Sequence, residues 1–201
     1  MAEVQATPEL LFDKTDHTYT TPDGVVLPSV TQILKELGFY PHSEFYTNES
    51  RQRGVDVHLA CQYYDENDLD ETTLRDEIRP YVEAYKRFRT ESGFEPQLVE
   101  YRLYSKTYGY AGTMDRVGML TSKTTIIDLK TGQPQCADAL QTAAYAYAYT
   151  EMTGVKVMER YGLYLKDTGS YRLQNHKERS DLQIFLAAAS LYQYKKSKGL
   201  I

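Results

Sequence analysis

The sequence predicts an α/β fold, with a mixed central β-sheet flanked by helices and a β-hairpin at the N-terminus. Three observations lead there. Apolar runs near 97–130 read as three consecutive strands, with helical patterns before and after them. Start and stop signals delimit those helices: Ser29-Val-Thr-Gln32 has the form of a capping box, and Gly38, Gly93 and Gly154 follow helical stretches. The 201 residues, 41% hydrophobic and 25% charged, suit one domain whose core is large enough to fold unaided.

Taken in order, residues 11–27 form a hairpin: Leu11-Phe-Asp-Lys14, then His17-Thr-Tyr19-Thr20, a turn at Pro22-Asp23-Gly24, and Val25-Val-Leu27. The capping box at Ser29 opens a short helix that stops at Gly38. A helix covers about 48–64 and carries Arg51, Arg53, Gly54 and His58. An acidic loop from Asp65 to Glu71 leads to a helix near 73–91, which contains Pro80 and ends at Gly93. Strands follow at roughly 97–105, 110–120 and 124–130. The segment from Asp138 to Tyr149 alternates tyrosine and alanine as a strand would, but its length, alanine content, Asp start and Gly154 stop favour helix. A strand pair at 156–166 and 171–176 turns around Asp167-Thr-Gly169, and a last helix spans about 179–196 with a basic end at Lys195, Lys196 and Lys198. The chain is thus one domain, 1–201: an N-terminal hairpin and helix (1–40), a core (48–150), and C-terminal strands and helix (156–201).

Composition excludes several classes. No apolar run approaches the ~20 residues needed to span a bilayer, and the N-terminus lacks the basic-then-apolar pattern of a signal peptide, so an intracellular protein is expected. Two cysteines, Cys61 and Cys136, cannot alone form a four-cysteine zinc site or an iron–sulfur cluster; they read as packed small side chains. A net charge of −5 is not the footprint of a protein held on DNA by bulk positive charge, but the local field is what matters to a ligand. Nineteen tyrosines and no tryptophan are an unusual aromatic balance, with most of the rings expected at the edge of the core.

The chemistry concentrates in Gly112-Thr-Met-Asp115-Arg116 and Ile126-Ile-Asp128-Leu-Lys130-Thr-Gly132. In a strand, Asp128 and Lys130 share one face while Ile127 and Leu129 share the other. A carboxylate and an ammonium therefore emerge side by side from an apolar run, with Asp115 on the preceding strand. Hard divalent cations such as Mg²⁺ take oxygen ligands and few protein carboxylates. Asp115, Asp128 and the Leu129 carbonyl have the oxygens to hold one or two such ions, and Lys130 would stabilise charge on a phosphorane. On spacing alone, a solvated Asp128–Lys130 ion pair fits as well. The apolar strand before the pair, the Thr131-Gly132 turn after it, and the permissive Gly112 beside Asp115 favour a site.

These motifs resemble those of the PD-(D/E)XK nuclease superfamily in its RecB-like exonuclease branch. Gly112-x-x-Asp115-Arg116, Asp128-x-Lys130-Thr-Gly132 and Gln141-x-x-x-Tyr145 stand in the family's order. Upstream, Arg53-Gly-Val-Asp-Val-His58 is similar to that branch's Arg-Gly-x-x-x-His helix. His17-x-Tyr19 followed by Pro28-Ser-Val-Thr31 resembles the start of phage-encoded and mitochondrial-genome-maintenance-type exonucleases. The resemblance runs from about 12 to 150 and implies a restriction-endonuclease-like catalytic core.

Carried over, the resemblance implies Asp115 and Asp128 as metal ligands, Lys130 as the catalytic lysine, and His58 completing the metal shell of one or two Mg²⁺ or Mn²⁺ ions. Gln141 and Tyr145, one helical turn apart on one face, would orient Lys130 or touch DNA phosphate; ordinary packing serves them equally. Glu100 is a candidate for the layer behind the ligands, with a solvated surface role as its alternative. Arg51, Arg53, Lys106 and Arg116 are candidate phosphate contacts, although each alone reads more simply as surface charge. Tyr108 and Tyr110 are candidates for base stacking, with core packing the plainer use. The implied activity is metal-dependent DNA exonuclease action in replication, recombination or repair, in a bacterial or phage-infected cell. DNA is the partner, beside recombination or replication proteins. A flap or junction endonuclease and a catalytically idle DNA-binding subunit remain alternatives.

Overall fold

The computed structural model describes residues 10–13, 18–40 and 47–201. Lys14 and His17 of the expected hairpin lie outside the described residues. Strands β1 (Leu11–Asp13), β2 (Thr18–Thr20) and β3 (Val26–Pro28) form a three-stranded antiparallel sheet rather than a lone hairpin. Helix α1 (Val30–Glu36) follows at once. Its capping box is complete: the Gln32 amide donates to Ser29 Oγ at 3.0 Å and the Ser29 amide to Gln32 Oε1 at 2.8 Å.

Helix α2 (Asn48–Asp65) leads through a single 3₁₀ turn (Glu71–Thr73) to α3 (Arg79–Ser92). The sequence placed the start of α3 near 73; it starts six residues later, and Pro80 explains why. A proline in the interior of a helix removes a hydrogen bond and clashes with the preceding turn, whereas in the first turn no amide is needed. The freed segment is tied locally by Asp70, whose side chain accepts from the Thr72 amide at 2.9 Å.

The central sheet has the order β4 (Glu95–Ser105), β5 (Tyr110–Leu120), β6 (Lys123–Lys130), β7 (Glu159–Leu165) and β8 (Tyr171–Asn175). All neighbours are antiparallel except β6 and β7, which run parallel and are joined across the sheet by α4 (Cys136–Thr153). Helix α5 (Ser180–Ser197) closes the described chain. The sequence started α4 at Asp138; it begins two residues earlier, and Asp138 instead accepts from the Gln135 amide at 2.8 Å.

Two apolar layers enclose the sheet. Val30, Ile33, Met114, Ile126, Ala144 and Phe185 pack with α1, α4 and α5 on one side. Val57, Tyr85, Phe88, Ile127, Leu129 and Leu163 pack with α2 and α3 on the other. Strand β6 thus sends Ile126 to the first layer and Ile127 and Leu129 to the second, so the period-two alternation leaves Asp128 and Lys130 on the side of α4. The N-terminal sheet seats Leu10, Tyr19 and Leu27 on Ala111, and Tyr19 Oη lies 2.9 Å from Thr113 Oγ1. Among the described residues, no helix is long and apolar enough to cross a membrane.

A bulge between Pro96 and Leu98 shifts the register of β4 against β5, and Gly118 lies opposite it. A Cβ at Gly118 would sit 2.0 Å from the Glu95 carbonyl oxygen, so only glycine fits there. Gly118→Ala is expected to lower the urea-unfolding free energy by about 1–3 kcal/mol, as forced overpacking does; an unchanged midpoint would contradict this packing.

Candidate active site

Asp128 is 1% exposed, and the Lys130 ammonium stands 2.6 Å from its carboxylate. The same ammonium donates to Gln141 Oε1 at 2.8 Å, and Gln141 Nε2 donates to Tyr145 Oη at 2.9 Å. One turn of α4 separates the last two residues, so the helix presents them together to β6. Tyr40 on the other side also donates to Gln141 Oε1, at 3.3 Å. Gly112 makes room for this chain of contacts: a Cβ there would lie 2.6 Å from the Tyr145 ring. The pair is therefore buried and braced, which is not the geometry of a solvated ion pair. Burial raises the Asp128 pKa, even with Lys130 drawing it down, and Asp115 adds to the rise. Burial alone would lower Lys130, but Asp128 beside it raises it well above its ordinary value.

A second cluster joins α2, β4 and β5. Ligand atoms of His58, Glu100 and Asp115 all lie within 4.8 Å of one another. His58 Nδ1 is 3.5 Å from Asp115 Oδ1 and 3.8 Å from Glu100 Oε1, while Nε2 is 3.0 Å from the Leu129 carbonyl oxygen. The Leu129 amide donates to Asp115 Oδ2 at 2.6 Å. Both backbone groups of Leu129 thus orient cluster members, and the carbonyl that the sequence offered as a metal ligand holds the His58 ring. This is how an imidazole is set for a metal: one nitrogen tied to a carbonyl, the other facing carboxylates. Burial would lower His58, but Asp115 and Glu100 outweigh it and raise its pKa to about 10. Burial would raise Asp115, yet His58 and Lys130 hold it below the ordinary carboxylate range.

Glu100 reaches the cluster through an unusual backbone. It has φ +49° in the middle of β4, a left-handed conformation costing a non-glycine residue on the order of 1–3 kcal/mol. Its neighbours Val99 and Tyr101 stay in register with Arg116 and Met114. What holds it is Arg116, 0% exposed, whose Nη1 donates to Glu100 Oε1 at 2.9 Å and to the Asp115 carbonyl at 3.0 Å. Arg116 Nε donates to Asp65 Oδ2 at 2.7 Å, and Asp65 also accepts from Tyr85 Oη and pairs with Arg89. Two sequence readings are corrected here. Arg116 is no phosphate contact, because it is buried and committed to internal carboxylates. Glu100 stands beside His58 and Asp115 rather than behind them. Asp128, which the resemblance offers as a further metal ligand, pairs with Lys130 at 2.6 Å and lines the same cavity as His58 and Asp115.

Both clusters line a cavity of about 690 Å³, with His58, Asp115, Asp128, Leu129, Lys130, Gln141 and Tyr145 on its walls. Arg51 lines it too. The other candidate cations do not: the Arg53 guanidinium stacks over Tyr81 at 5.6 Å, and Lys106 is exposed in the turn after β4. Tyr110 is fully buried, donating to the Ala144 carbonyl with its ring against Phe185, so base stacking falls to neither it nor Tyr108, which packs on Tyr147. Cys61 and Cys136 are free thiols. The sequence reading missed Thr31, Lys35, Tyr40 and Asp138 as cavity walls. Thr31 and Lys35 stand one turn apart on the capped α1, a spacing that marks a shared face but not which face.

Two carboxylates and an imidazole nitrogen within a few ångströms suit a hard or borderline divalent cation, Mg²⁺ or Mn²⁺. Oxygen donors dominate, and no thiolate competes.

Comparison with known proteins adds the lineage. The model of the PD-(D/E)XK nuclease superfamily matches residues 44–193. Among solved structures, the fold is similar to that of a "Putative exonuclease" from Eubacterium rectale, with a TM-score of 0.61 at 14% identity, covering 87% of this chain and 82% of that one. At that identity the likeness speaks for the fold alone, which is restriction-endonuclease-like. A second structure, SSO0001, aligns over 80% of this chain and 81% of its own at 13% identity, but its TM-score of 0.35 carries no weight. No curated protein matches the sequence.

The protonation state yields a test. With its pKa raised to about 10, His58 holds a proton at neutral pH, and a cation can take Nδ1 only as that proton leaves. Calorimetric Mn²⁺ affinity is therefore expected to rise as pH increases from 6 to 8, by about tenfold per unit for one released proton. A flat profile would contradict a site that includes His58. Glu100→Gln and Asp115→Asn should each weaken Mn²⁺ binding, by at least about tenfold, the smaller loss seen for groups near a metal.

Proposed function

The chain belongs to the PD-(D/E)XK nuclease superfamily, and from that premise we propose that it is a Mg²⁺- or Mn²⁺-dependent DNA exonuclease of the RecB-like kind, serving replication, recombination or repair, with phages among its sources. The observation that carries this reading is the meeting, in one cavity, of the Asp128–Lys130 pair with His58 and Asp115, beside which Glu100 stands. Nothing else in a nuclease site has to be supplied by a nucleophilic side chain, since water attacks the phosphorus.

A divalent ion held by His58, Glu100 and Asp115 would neutralise the scissile phosphate and lower the pKa of the attacking water. The chain's own residues do the rest. Lys130 presents a fixed positive charge to the oxygens that become more negative as the phosphorane forms. Asp128 holds that ammonium from one side and Gln141 from another, so it is aimed before substrate arrives. Tyr145 fixes the Gln141 amide, leaving its oxygen for Lys130. Arg51 and Lys35, exposed on helices α2 and α1, line the same cavity and offer positive charge to the phosphates next to the scissile one.

The test is digestion of 5′- and 3′-end-labelled DNA with Mg²⁺, Mn²⁺ or chelator. Cleavage is expected with either metal and none with chelator. A covalently closed single-stranded circle should resist, because end-directed hydrolysis needs an end; rapid loss of the circle would favour an endonuclease. Lys130→Ala and Asp128→Ala should each lower kcat by at least about 10²-fold, the scale of losing one transition-state charge partner, with circular dichroism unchanged. Full metal-dependent activity in either variant would overturn the assignment.

A further inference from the structure

A second cavity, about 720 Å³, opens between the second half of α4, the start of β7, the end of β8 and the start of α5. It matches the active-site cavity in size and falls within the ~300–1,000 Å³ typical of ligand sites. Lys156, Lys177 and Arg179 stand around it. Among the described residues, no ion pair or side-chain hydrogen bond engages any of the three. The remaining charges are mostly spent. Glu159 is held by Lys123 at 2.5 Å and by Tyr161 Oη at 3.0 Å. Arg160 binds Asp181 at 3.0 Å and the Ala139 carbonyl at 2.9 Å. Three unpaired cations therefore face one remaining lining carboxylate, Glu178, in a chain whose net charge is −5.

Two further features suit an anion. Helix α5 begins at this cavity with no side-chain hydrogen bond from its N-cap Arg179, so its first amides and dipole favour negative charge there, and the one first-turn carboxylate, Asp181, is paired with Arg160. The floor is polar but uncharged: His176, 5% exposed, lies with Nδ1 3.0 Å from Thr142 Oγ1, and burial lowers its pKa to about 4.

The cavity is also placed to share a strand with the active site. Tyr164, whose hydroxyl donates to Asp138 in the active-site wall, is four residues along β7 from Arg160, roughly 13 Å at about 3.3 Å per residue. Thr142, which receives a 3.3 Å hydrogen bond from Arg160, adjoins Gln141 on α4.

We propose that this cavity is a second phosphate-binding site, which takes a backbone phosphate of the nucleic-acid strand whose scissile bond lies at Lys130; it rests on the nuclease reading above. The ligand chemistry is a phosphate ester bound by Lys156, Lys177 and Arg179.

Fluorescence anisotropy of the full chain in chelator, where nothing is cut, tests it with a labelled trinucleotide and a labelled long single strand. The wild-type protein should gain at least tenfold in affinity from the short to the long strand. The triple variant Lys156→Gln, Lys177→Gln, Arg179→Gln should lose most of that gain. Its salt slope on the long strand should fall by about 0.7, the share of one single-strand phosphate contact. Inorganic phosphate and a nucleoside monophosphate serve as competitors: displacement that disappears in the variant extends the site to free phosphate, and no displacement confines it to the strand. An equal gain in variant and wild type overturns the proposal. A wild-type protein that shows the variant-sensitive gain but cuts no DNA with Mn²⁺ would refute the nuclease reading and leave the phosphate site standing.

Discussion

The buried guanidinium of Arg116 is the interaction on which the rest of the site depends. A charge with no exposed surface persists only if opposite charges surround it, and removing a partner of such a pair costs about 3–5 kcal/mol. Asp65 at the end of α2 and Glu100 on β4 meet that demand from two directions. The same contacts tie α2, and hence His58, to the two strands that carry Glu100 and Asp115. They also hold Glu100 in a left-handed backbone that strand pairing alone would not select. One internal network thus fixes three potential cation ligands from three elements, and the strain at Glu100 is balanced by pairing beneath it.

The second half of the site is built from periodicity. A strand places Asp128 and Lys130 on one face, and a helix places Gln141 and Tyr145 on another, so the crossover from β6 through α4 brings the four into one chain of contacts. The parallel β6–β7 pairing requires that crossover, which couples the topology of the sheet to the chemistry at its end. Burial raises Asp128 against the pull of Lys130, while Asp128 raises Lys130, so the carboxylate keeps the ammonium charged where burial alone would discharge it.

Much of this was legible in the sequence because it is local. The capping box at Ser29, the alternation through Ile127 and Leu129, and the Gln141-to-Tyr145 turn all follow from spacing within a few residues. Arg116 was not legible: beside Asp115 it looks like a surface cation, and its partner Asp65 lies 51 residues away. Glu100 was misplaced because nothing in Val99-Glu-Tyr announces a positive φ. The start of α3 was misjudged because an acidic run before Pro80 continues a helical pattern that the proline ring cannot join. Lys35 and Thr31 were missed because the wall they form exists only once α1 docks near β5 and α4. Residues that meet across sequence distance carry the site, and spacing cannot reveal which distant charges face each other.

Whether His58, Glu100 and Asp115 hold the cation is decided by an anomalous-difference map from crystals soaked in Mn²⁺ without substrate. A peak is expected between His58 Nδ1 and the carboxylates of Glu100 and Asp115, with Arg116 still bound to Glu100. A peak elsewhere, or none at a Mn²⁺ concentration that supports DNA cleavage, would contradict this site.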